Sequence, residues 1–263
     1  MDYSKIFSEF EKNRNAEQAK SMSAYMRNLF AYLGIPSPKR RELQKEFLKT
    51  AKKEVTGKQT ADKQMESINN QTVNSQREGT NRKKAADKQT GTDGQQETAN
   101  GIDWQFVFEC WNKPEREYQY LALDYLTAVK AKLTPSDIPN LKKLIEIKSW
   151  WDSVDCLDSI VGDIALRHSE VNKTLLEWST HPNFWLRRAA IDHQLGRKDK
   201  TDAPLLKKII INNLGQTEFF INKAIGWSLR EYSKTNPAWV RAFIAEYKDR
   251  LSPLSVREGS KYI

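Results

Sequence analysis

Apolar residues in this chain recur at helical spacing, and Pro or Gly stands where the spacing lapses. Ile6, Phe7 and Phe10 form a first apolar face, and Tyr25, Met26, Leu29, Phe30 and Leu33 form a second. Gly34 and the Pro36-Ser37-Pro38 stretch stop that second helix, and the pattern resumes from Arg40 to Leu48. From Ile102 onward, Trp, Leu, Ile and Ala keep helical spacing. Short breaks fall at Lys113-Pro114, around Pro135 and Pro139, and at His181-Pro182, Ala203-Pro204 and Asn236-Pro237. No convincing alternation with a period of two occurs, so an all-α fold is predicted.

Residues 51–100 depart from this pattern. They hold no Phe, Tyr, Trp, Leu, Pro or Cys, and the tetrapeptide ADKQ occurs at 61–64 and again at 86–89. Such a segment buries too little apolar area to offset its ordering entropy. The reading is a single domain over 1–263, interrupted by a polar disordered insertion at 51–100.

The helices are related to one another. The aromatic pairs Trp150-Trp151, Phe184-Trp185 and Phe219-Phe220 are spaced by 34 and 35 residues. Five residues after the first member of each pair come Asp155, Ala189 and Ala224, and a weaker copy upstream places Ala122 five residues after Glu117-Tyr118. A period near 35 with two helices per unit predicts an α-solenoid of HEAT-like repeats, with a concave face. Asp155 is the anomaly, a carboxylate where sister units carry a methyl group, and a semi-buried carboxylate is costly unless it is paired or used. Trp151 lies one turn before it on the same helix face. Ser149 and Asp152 fit a capping-box-like start, and Asp158 suits an exposed or ion-paired helix face. Trp227 follows Gly226, and a helical Gly costs about 1 kcal/mol relative to Ala, so it marks a close approach of another backbone or a ligand.

Charge narrows the partners. Lys plus Arg number 43 against 34 Asp plus Glu, a formal net charge of +9. The 51–100 segment is nearly neutral, so the excess belongs to the rest. Arg187 and Arg188 in one unit are matched by Lys223 in the next, with Arg230 two turns further on. Basic residues at matching positions in stacked units make a stripe suited to a phosphate backbone. The two cysteines, Cys110 and Cys156, and three histidines have no ligand spacing, so no metal and no cofactor are expected. The charged N-terminal stretch MDYSKIFSEFEKNRN lacks the apolar core of a leader, and no run is long enough to span a membrane. A cytoplasmic protein is expected, without a membrane or an obligate protein partner, as a monomer.

KSWWDSVD (148–155), FWLRRAAI (184–191), EFFINKAIGWSLREYSKTNP (218–237) and PLSVRE (253–258) together resemble bacterial DNA glycosylases of the AlkD kind, the HEAT-like alkylation-repair proteins. YMRNLFAYLGIPSPKRREL (25–43) and PEREYQYLALDYL (114–126) extend the resemblance over nearly all of the chain outside 51–100. The resemblance implies excision of N3- and N7-alkylated purines from double-stranded DNA on the concave basic face, without extruding the base. It places the reaction centre on Trp151, Asp155 and Trp227, and DNA contacts on Arg188, Arg230 and Tyr25. Two competing readings use the same fold. One is a non-catalytic HEAT-like protein that binds distorted or branched DNA, and the other is a scaffold for proteins, against which the basic stripe argues.

Overall fold

The computed structural model describes residues 3–76 and 100–263, with side chains described outside 58–99. Thirteen α-helices and three short 3-10 turns make up the described residues, which carry no strand beyond one isolated bridge between Ala31 and Glu115. The fold is all-α. The chain divides into two compact units, Met1–Lys132 and Leu133–Ile263.

The first unit holds α1 (Ser4–Lys12), α2 (Ala16–Tyr25), α3 (Ser37–Gln76), α4 (Trp104–Asn112) and α5 (Arg116–Val129). Helix α2 ends at Tyr25 rather than at Gly34, because Arg27 and Asn28 adopt successive left-handed conformations, with φ of 56° and 57°. The chain then runs irregularly to Ile35. The buried carboxylate of Glu117 on α5 holds that stretch by accepting from the backbone N–H groups of Leu33, Gly34 and Ile35 at 2.9, 2.9 and 3.0 Å. Three donors on one carboxylate satisfy an otherwise unpaired turn. Gly34, with φ of 86°, is required there, since a Cβ would lie 2.0 Å from the Asn15 carbonyl oxygen.

The polar segment begins differently from expectation. Helix α3 runs through it to Gln76, and Ala51 and Val55 are fully buried. Two small or branched apolar residues one turn apart suffice to dock the helix, whose continuation is rich in helix-forming Lys, Gln and Glu. Helix α3 thus covers 51–76 of that segment, and 77–99 lie outside the described residues.

The second unit consists of α6 (Ile138–Glu146), α7 (Trp151–Arg167), α8 (Val171–Trp178), α9 (Phe184–Asp192), α10 (Ala203–Ile211), α11 (Phe219–Ser233), α12 (Pro237–Glu246) and α13 (Pro253–Gly259). Helices α7, α9, α11 and α13 pack successively against one another, while α6, α8, α10 and α12 cover them from one side of the sequence repeat. The Pro breaks are helix starts: Pro139, Pro204, Pro237 and Pro253 occupy first-turn positions, where a missing N–H costs nothing. Asn183, Asp202, Glu218, Asn236 and Ser252 cap their helices with side-chain oxygens. The repeated aromatic pairs meet at the start of this row. Trp150 lies 5.9 Å from Trp185 and 5.2 Å from Phe220, and Trp185 lies 4.8 Å from Phe220. Ala189 and Ala224 are fully buried, as close helix packing needs. No helix among the described residues is long and apolar enough to cross a membrane.

Candidate active site

Asp155 stands on α7 where Ala189 and Ala224 stand on α9 and α11, and a buried arginine answers it. Arg188 of α9 is 1 % exposed. It donates from Nε and Nη2 to the same Asp155 oxygen, Oδ1, at 2.9 and 2.8 Å, and from Nη1 to the Phe220 carbonyl at 2.8 Å. The Asp155 side chain keeps 25 % of its exposure, and its second oxygen takes no hydrogen bond among the described residues. Burial raises the Asp155 pKa from its ordinary value, and the Arg188 charge opposes that push. The result is a carboxylate fixed at one oxygen and open at the other.

Trp227 of α11 joins the same guanidinium. Its ring centroid lies 5.6 Å from the Arg188 guanidinium carbon and 5.8 Å from that of Arg230, so two cations face one indole. Trp151 is half-buried in the first turn of α7, one turn before Asp155. Arg188 thus ties Asp155 and Trp227 to one centre, with Trp151 beside it on the same helix.

The basic residues divide. Arg188 is interior and fully engaged, so in this state it grips the carboxylate and not a phosphate. Arg187 is half-buried, and its Nε is buried without a hydrogen-bond partner. Lys223 and Arg230 both lean on Glu258 of α13, at 3.2 Å from Oε1 and 3.0 Å from Oε2, and Lys261 adds a third cation at 3.0 Å. Lys261 first, and then Lys223, hold the Glu258 pKa below its ordinary value against its burial. Tyr25 belongs to the first unit and is 75 % exposed at the end of α2.

Gly226 is explained by packing. A Cβ there would lie 2.6 Å from the Glu258 Cβ, so the glycine lets α13 lie close to α11 and brings Glu258 under the cations. Ser149 is not the N-cap of α7. That position is Trp150, and the Ser149 hydroxyl turns back to the Ile145 carbonyl. Asp158 is the larger correction: it is buried, not on a solvated face. With Asp192 of α9 and Asp155 it forms a cluster in which one carboxylate oxygen from each residue lies within 4.8 Å of the other two. Such spacing suits a cation, and the cation present is Arg188. Asp192, Glu258 and Lys261 were missed as well. Two signals pointed to Asp192: it follows Arg188 by one turn, and it falls 34 residues after Asp158, at the same repeat position.

Comparison with known proteins bears on what this centre serves. A family model described as DNA alkylation repair enzyme matches residues 6–72 and 80–263. The chain belongs to this family. A solved structure, a predicted DNA alkylation repair enzyme from Enterococcus faecalis, is 35 % identical in sequence, with a TM-score of 0.72 over 95 % of this chain and 96 % of that one. A search of curated proteins finds no match. Membership assigns this chain a role in the repair of alkylated DNA, with DNA as its substrate.

Proposed function

We propose that the protein is a DNA glycosylase that excises cationic N3- and N7-alkylated purines from duplex DNA without turning the base out. The supporting observation is Asp155: an ion-paired carboxylate that still faces solvent, beside an indole already stacked with cations.

An alkylated N3 or N7 purine carries its positive charge before the bond breaks, so its departure needs no proton. The acid of the usual carboxylate pair is then dispensable, and one anion remains to be supplied. As the C1′–N bond breaks, its electron pair passes to the purine ring and cancels the cation. Positive charge develops on the sugar, where Asp155 stabilises it. Water adds to C1′ and gives up a proton toward the Asp155 carboxylate. Trp151 and Trp227 offer π faces to the cationic base and sugar, contacts worth about 0.5–2 kcal/mol each. Arg188 positions Asp155, while Lys223, Arg230 and Tyr25 meet the DNA. A monomer suffices, and the step calls on no cofactor.

Asp155→Asn keeps the size and removes the charge. Release of 7-methylguanine from methylated duplex DNA is expected to slow by about 100-fold or more. A second reading has an observation of its own. The Asp155–Arg188 ion pair suits a non-catalytic protein that binds distorted or branched DNA, in which Asp155 only anchors Arg188. No release by the unaltered protein would establish that reading, whereas wild-type release by the Asn variant would show that Asp155 is not the electrostatic catalyst.

A further inference from the structure

The interior around Arg188 holds three carboxylates and one guanidinium, and the distribution of bonds among them is uneven. Asp155 takes two donors from Arg188. Asp192, one turn after Arg188 on α9, has only a 3.5 Å approach from the same Nη2, and its other oxygen lies 3.3 Å from the Ser228 hydroxyl of α11. Oδ2 of Asp192 and Oδ2 of Asp158 are both buried without a hydrogen bond, on residues that are 1 % and 3 % exposed. Ionising both would leave two neighbouring carboxylates in the interior with one cation already committed elsewhere.

We propose that Asp192 is a positioning residue for Asp155: protonated beside Asp158 it leaves Arg188 to Asp155, and on losing its proton it becomes a rival for the guanidinium. The proposal rests on Asp155 being the reacting carboxylate. The groups that bear on Asp192 are Asp155 and Asp158 from α7, Arg188 and the neutral His193 from its own helix and its end, and the uncharged Ser228 from α11. His193 stays neutral because burial pushes its pKa down to about 3. Burial, against the pull of Arg188, pushes Asp192 up to about 7, and burial with the Asp192 charge pushes Asp158 well above its ordinary value. The two titrate as a pair. The folded value exceeds the ordinary 3.8, so the pair's contribution to stability is complete below that value and is lost as pH rises through about 7.

Two measurements on the full chain test this: the rate of 7-methylguanine release from duplex DNA between about pH 6 and about pH 8.5, and side-chain carboxyl NMR of the DNA-free protein. Release by the unaltered protein should fall across a midpoint near 7. Asp192→Asn should remove that alkaline fall, and the carboxyl signal titrating near 7 should vanish from its spectrum. Asp158→Asn replaces a protonated carboxyl by a neutral amide and should leave the midpoint of the fall near 7. If Asp192→Asn does not fold, the persistence of the fall in Asp158→Asn and the titration of the unaltered protein decide. An alkaline fall retained in Asp192→Asn overturns the proposal, as does the absence of any aspartate titrating above about pH 5. Selective broadening of these carboxyl signals by added Mn2+ alone would also overturn it, showing a cation where the proton was placed. A fully active Asp155→Asn enzyme would sink the catalytic role of Asp155 yet leave the NMR titration standing. An absent titration beside an inactive Asp155→Asn enzyme would do the reverse.

Discussion

Two charged centres lie in the second unit, and they are built from the same groups in opposite proportions. At one, a single guanidinium, Arg188, is surrounded by Asp155, Asp158 and Asp192. At the other, a single carboxylate, Glu258, is surrounded by Lys223, Arg230 and Lys261. Trp227 lies between them, with Arg188 5.6 Å and Arg230 5.8 Å from its ring centroid. The minority charge is interior in each case. The majority charges differ: two of the three carboxylates are sealed in, whereas all three cations keep a quarter to a half of their exposure. Excess charge confined inside shifts pKa values, and excess charge left at the surface attracts counter-ions. The first arrangement suits chemistry and the second suits grip on an anionic polymer.

The comparison breaks most visibly when a minority charge is removed. Arg188→Ala should cost about 3–5 kcal/mol, because it strands three carboxylates of which two are buried. Lys261→Ala, which leaves Glu258 two cations, should cost no more than about 1 kcal/mol. Urea unfolding of both variants tests the contrast, and equal losses would show that burial does not separate the two centres. An intermediate effect is expected at Gly226→Ala. The new methyl group meets the Glu258 Cβ at 2.6 Å, which is the root of a side chain and cannot swing aside. Displacing α13 should cost about 1–3 kcal/mol by the same unfolding measurement. A neutral result would mean that α13 is not held against α11 as described.

Much of this was legible in one dimension. The aromatic pairs, the Pro breaks and the Ala positions report helix faces and starts, which local spacing encodes. Asp155 stood out because its repeat partners Ala189 and Ala224 define what the slot normally holds. Depth was not encoded. Asp158 and Arg188 occupy helical positions that suit either a solvated face or an interior, and only the neighbouring helices decide. The end of α2 was hidden because Arg27 and Asn28, not glycine, take the left-handed turn. In the polar run, composition measures apolar area over a window, whereas the start of that run belongs to α3 and buries Ala51 and Val55.

The smallest effect concerns the assignment of phosphate contacts. Position in the repeat favoured Arg188 equally with Lys223 and Arg230, but the structure separates them. Arg188 is 1 % exposed with its donors spent on Asp155 and Phe220, whereas Lys223 and Arg230 expose 29 % and 26 % of their side chains and share one carboxylate. A cation that shares a carboxylate retains charge for a phosphate, and each phosphate neutralised contributes about 0.9 to the slope of log affinity against log salt. On the proposed reading, Lys223→Ala and Arg230→Ala should each lower that slope by about one contact on duplex DNA. Arg188→Lys keeps a cation at the interior position and should leave the slope unchanged. A salt series of binding titrations measures all three. A slope that fell with Arg188→Lys and held with Lys223→Ala would reverse the roles of the two centres, making the interior guanidinium the grip and the Glu258 cluster a structural clasp.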